Sequence, residues 1–76
     1  MKWVADITHP KPMHFVIEQQ TLRSLIAGQP DQLGFYIYVY ENGRAIYDYL
    51  QDNLEQAKGF SFRKFHVPVT AWQQVE

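Results

Sequence analysis

The stretch Phe35-Tyr36-Ile37-Tyr38-Val39-Tyr40-Glu41-Asn42-Gly43-Arg44-Ala45-Ile46-Tyr47-Asp48-Tyr49-Leu50 decides the fold. Asn42-Gly43 lies between two β-rich runs. Both central positions of a type I′ hairpin turn need positive φ, and Asn followed by Gly accepts it best. A two-residue loop fixes the register. It predicts Glu41 opposite Arg44, Tyr40 opposite Ala45, Val39 opposite Ile46, Tyr38 opposite Tyr47, Ile37 opposite Asp48, Tyr36 opposite Tyr49 and Phe35 opposite Leu50. One face then carries Phe35, Ile37, Val39, Ile46 and Leu50, with Asp48 as the odd member. The other carries Tyr36, Tyr38, Tyr40, Tyr47, Tyr49 and Ala45. All five tyrosines of the chain fall on that second face, and a slip of two residues leaves the faces unchanged.

Beyond the hairpin, Gln51 to Phe65 reads as a helix, with its capped body at Asp52–Phe65. Asp52-Asn53-Leu54-Glu55 has capping-box spacing, and Lys58, Arg63 and Lys64 drift towards the negative end of the helix dipole. At 100° per residue, Leu54, Ala57, Ser61, Phe62 and Phe65 share one face, and Phe60 falls off it. Gly59 inside the helix costs about 1 kcal/mol relative to alanine. Val67-Pro68 ends the helix, with His66 as its left-handed terminating residue. Trp72 is the docking anchor of the tail.

On the N-terminal side, Trp3–Thr8 alternates as a short strand and His9-Pro10-Lys11-Pro12 breaks it. Met13–Gln20 is a second strand centred on Phe15-Val16-Ile17. Leu22, Leu25 and Ile26 stand at helical spacing, so Thr21–Ala27 is expected to form a short helix or helical turn. Gly28–Gly34 is a loop by composition.

The C-terminal half resembles a group of small uncharacterised bacterial proteins. The matching residues are the Asn42-Gly43 hairpin turn, the acidic-capped run Asp52-Asn53-Leu54-Glu55-Gln56-Ala57-Lys58, Phe65, and the ending Val67-Pro68-Val69-Thr70-Ala71-Trp72. Those proteins often carry Gly at the position of His66, which suits a left-handed cap, and polar or small residues at Gly59, Phe60 and Phe62. The resemblance implies the hairpin-then-helix architecture and brings no activity with it.

Composition narrows the classes of function. A chain of 76 residues allows one domain, residues 1–76, and buries only about 60% of its unfolded surface. There is no cysteine, so neither a disulfide nor a thiolate metal site can supplement the core. Seven basic residues stand against eight acidic ones, which argues against duplex nucleic acid or an anionic membrane as partner. No apolar run approaches a membrane span of about 20 residues. Asp6, Thr8, His9 and Pro10 interrupt the apolar start that a signal peptide would need, so the expected location is cytoplasmic.

Few residues suggest chemistry. His9, His14 and His66 lack acidic neighbours at ligand spacing, and no metal or cofactor is expected. Ser24 and Ser61 have no nucleophile motif around them. Asp48, placed on the core face four residues before Asp52, would be desolvated like a catalytic acid; bonding to the N–H groups that open the helix is the structural alternative. The tyrosines carry more weight. Cross-strand aromatic pairs stabilise a hairpin by roughly 0.2–1 kcal/mol each, but five on one face exceed that need, and tyrosine is enriched at protein interfaces.

The sequence therefore predicts an α+β domain: an antiparallel sheet of three to four strands with one C-terminal helix on its aliphatic face. It predicts a non-catalytic protein-interaction domain whose partner is another protein or, as a homodimer, itself. Tyr36, Tyr38, Tyr40, Tyr47 and Tyr49 are the binding residues. The alternatives are single-stranded nucleic acid stacked on the tyrosines and a small enzyme using Asp48.

Overall fold

The Asn42-Gly43 turn forms as the dipeptide requires, with φ of 53° and 76°. It joins strand β3 (Gln32–Glu41) to β4 (Arg44–Gln51), following β1 (Lys2–Ile7) and β2 (Met13–Leu22). Helix α1 (Leu54–Phe65), a 3₁₀ turn at Val69–Ala71 and the two-residue β5 (Gln73–Gln74) complete the chain. A computed structural model describes all 76 residues. The five strands form one antiparallel sheet in the order β4-β3-β2-β1-β5, with the single helix on one face. The protein is thus α+β with one C-terminal helix. Its five-stranded sheet exceeds the three to four strands that the sequence predicts, the short β5 being one of the additions.

The core lies between α1 and the odd-numbered residues of the first three strands. Phe15, Ile17, Ile37 and Val39 have no exposed surface, and Trp3, Ala5, Met13 and Phe35 are buried around them. The helix contributes Ala57 and Ser61, and the tail closes one side with Val67 and Trp72. Trp72 packs edge-on against Phe15, with centroids 6.5 Å apart. Ser61 is satisfied internally, its hydroxyl donating to the Ala57 carbonyl at 2.9 Å, so it is a packed helical serine with no free role.

The register changes two residues after the turn. Glu41 faces Arg44 and Tyr40 faces Ala45 as expected, but Val39 faces Tyr47, leaving Ile46 as an extra residue between two pairs. This β-bulge reverses the alternation of the rest of β4. Tyr38 then faces Asp48, Ile37 faces Tyr49, Tyr36 faces Leu50 and Phe35 faces Gln51. The expectation that all five tyrosines share a face is overturned. Tyr36, Tyr38 and Tyr40 point away from the helix, and Tyr47 and Tyr49 point towards it. Register parity survives a two-residue slip, but a single inserted residue inverts it.

The other differences have physical causes. Gln51 ends β4 and does not begin the helix, because its strand continues to pair with Phe35. Asn53, rather than Asp52, caps α1: its side chain accepts from Gln56 N–H at 2.8 Å. His66 does close the helix in the left-handed region, at φ 61°. Phe60 meets Tyr49 at 4.6 Å between centroids and Phe62 is turned outward, 51% exposed. The two β4 tyrosines on the helix side give Phe60 its partner. The Thr21–Ala27 helix does not form. Pairing with β3 extends β2 to Leu22, opposite Gln32, and Leu25 is left fully exposed in a bend.

The long strands make the molecule elongated, 47 Å by 24 Å by 23 Å. Its exposed surface of 5443 Å² exceeds the roughly 4,900 Å² expected for a compact chain of this mass. The excess comes from a two-layer body with one helix, which leaves a whole sheet face uncovered.

Candidate functional site

That uncovered face is built from the even-numbered residues of β1, β2 and β3, with Ala45, Asp48 and Leu50 of β4. Of all these side-chain positions only Gly34 is buried. Three zones follow one another along the strands. At one end Leu22 and Leu50 meet above Gly34, where an added Cβ would lie 2.8 Å and 2.9 Å from their Cδ1 atoms. The absent side chain at Gly34 makes room for them.

The middle zone is aromatic. Tyr36 and Tyr38 stack at 6.0 Å between centroids and 14° between planes. Tyr38 accepts a 3.3 Å hydrogen bond from the Gln20 amide. Val4 and Val16 lie alongside, paired with each other across β1 and β2. All of these residues are half-buried.

At the other end Tyr40 packs on the His14 ring, with centroids 5.9 Å apart, and His14 Nδ1 lies 2.8 Å from Asp6 Oδ1. A cavity of about 500 Å³ opens there, lined by the Asp6–His14 pair with Tyr40, Thr8 and Asn42 among the others. It forms where the sheet ends beneath the hairpin turn. A second cavity, of about 300 Å³, lies on the helix side beside the bulge, between Lys11, Ile46, Tyr47 and Lys64.

The candidate residues divide accordingly. Tyr36, Tyr38 and Tyr40 form one half-buried ladder on the open face. Tyr49 packs on Phe60 and Phe65, and Tyr47 packs on Phe65 while 53% exposed. Asp48 leaves the core face assigned to it. It is exposed on the open face opposite Tyr38, with no hydrogen bond to the helix start. The desolvation that would make it a catalytic acid is therefore missing. His9 is exposed in the loop after β1, and His66 serves as the helix terminus. No three ligating side chains converge on a metal site.

Sequence reasoning missed Val4, Val16, Glu18 and Leu50 as parts of the open face. The signal for the last was Asp48 itself: a carboxylate assigned to an aliphatic core opposite Ile37 is the mark of a wrong parity. No family model, curated protein or solved structure matches this chain.

Proposed function

We propose that this protein is a non-catalytic interaction domain that docks another protein on the open face of its sheet. The observation that supports this reading is the Tyr36–Tyr38–Tyr40 ladder, half-buried among valines and leucines and covered by no second layer. Tyrosines of this kind offer large rigid area with a polar tip, the usual anchors of protein interfaces. One form of the reading is a homodimer. The nucleic-acid alternative needs a basic groove, whereas the strands of this face bring Lys2 against Asp6, Glu18 and Asp48.

The test is a photo-crosslinking residue placed at Leu50 in one variant and at Glu55, on the far side of the helix layer, in another. Expressed in its native cells, the first should give a discrete protein adduct and the second none. Absence of any adduct from Leu50, with a monomer by light scattering at high concentration, would overturn the proposal.

A further inference from the structure

The chemistry of the partner follows from two carboxylates, given the open face as the docking surface. Glu18 on β2 stands level with Tyr36, and Asp48 on β4 stands level with Tyr38. The stacked tyrosine pair lies between them on β3. Neither carboxylate has a cation within ion-pair distance. The three pairs in the protein are Lys2–Glu76 at 3.7 Å, Lys11–Glu41 at 3.0 Å and His14–Asp6 at 2.8 Å. Lys2 is the cross-strand neighbour of Glu18, yet its ammonium is turned to Glu76. Lys58, Arg63 and Lys64 all belong to α1 and lie on the other side of the sheet. The strands of the open face thus carry a net charge of minus two with His14 neutral.

We infer that the open face takes a basic, extended segment of another protein, with arginines four residues apart reaching Glu18 and Asp48. Strand spacing and rise place the two acidic positions roughly 12 Å apart on the diagonal, and residues i and i+4 of an extended chain lie about 13 Å apart on one side. Arginine suits the place better than lysine. Its planar guanidinium packs on the tyrosine rings and presents a fork of donors to a carboxylate. A second copy is disfavoured, because face-to-face pairing would bring the same unpaired acids together. A phosphate backbone is disfavoured for the same reason.

The probe is a capped heptapeptide with arginine at its second and sixth positions and phenylalanine at its fourth, titrated at low salt into the isotope-labelled full chain and followed by amide NMR. A glutamate version serves as counterpart. The arginine peptide should give saturable shifts at Glu18, Tyr36, Tyr38 and Asp48. Glu18→Gln and Asp48→Asn should each weaken binding about fivefold, equivalent to roughly 1 kcal/mol, with far-UV spectra unchanged. Asp52→Asn, an acid outside the face, should leave it unaltered. Shifts confined to the helix side, or equal weakening by Asp52→Asn, overturn the inference. So does the absence of shifts up to roughly 5 mM peptide. Binding of the glutamate peptide to the open face, or self-association through it, overturns the basic partner while the docking face stands. The docking reading itself fails only if the Leu50 crosslink is also absent.

Discussion

Tyr38 and Tyr49 belong to adjacent strands of one hairpin, share a residue type and lie in the same β-rich stretch, yet they have opposite fates. Tyr49 is packed between Phe60 and Phe65, with the Lys64 ammonium 5.9 Å from its ring centroid. Tyr38 stacks only on Tyr36 and hydrogen-bonds Gln20. The difference arises from one residue, Ile46, which stands unpaired between Ala45 and Tyr47. Facing in a strand is a counting property with period two. The surroundings of every later side chain in β4 are therefore set by whether an odd or even number of residues precedes it. The same residue type packs against the helix on one side of the sheet and lies on the uncovered face on the other.

The largest expected effect comes from inserting one alanine after Ile46. If the bulge is kept, the insertion carries Tyr47 and Tyr49 to the open face and Asp48 to the helix. If the bulge is lost, it slides every later residue of β4 two places along β3 and takes Tyr49 away from Phe60. Either outcome should destabilise the protein by about 3 kcal/mol or more in urea unfolding. Stability within about 1 kcal/mol of the parent would break the comparison. Next is Tyr49→Ala, expected to lose about 2 kcal/mol because its ring packs on Phe60 and Phe65 of the helix layer, against under about 1 kcal/mol for Tyr38→Ala, whose ring stacks only on Tyr36. Equal losses would mean that the two faces are packed alike. A double-mutant cycle sharpens the contrast: Tyr49 with Phe60 should show a coupling of about 1 kcal/mol, and Tyr36 with Tyr38 a smaller one. The smallest effect is expected for deletion of Ile46. Ala45 would then adjoin Tyr47, every later residue would keep its face, and stability should change by less than about 1 kcal/mol. The Tyr49 ring resonances should keep their chemical shifts, and their loss would show that the bulge does more than count residues.

The elements governed by local chemistry were legible in the sequence. Asn42-Gly43 specifies its own turn, His66 its left-handed cap, and the apolar residues of Leu54–Phe65 their helix. What escaped was set by tertiary demands. The bulge satisfies the requirement of Phe60 and Phe65 for aromatic partners across the layer, which no window along β4 contains. Leu22 and Leu25 share helical spacing with Ile26, but pairing with β3 claims Leu22 for a strand and leaves Leu25 in water. The candidate site was legible in part for the same reason. Its β3 tyrosines are fixed by the turn, while Leu50 and Asp48 reach it only through the bulge. Val4, Val16 and Glu18 join it through long-range pairing.

The bulge has a further consequence for β4 as the sheet's long unpaired edge. A regular edge rich in Ile, Tyr and Leu, with no proline and little net charge, is a template on which further chains can stack into fibrils. Ile46 interrupts that template near the turn and leaves only the run from Tyr47 to Gln51 in regular register. Deleting it should therefore preserve the fold and yet yield a protein that aggregates on storage at concentrations where the parent stays clear. Colloidal durability, separate from thermodynamic stability, would be the property that this one unpaired residue protects.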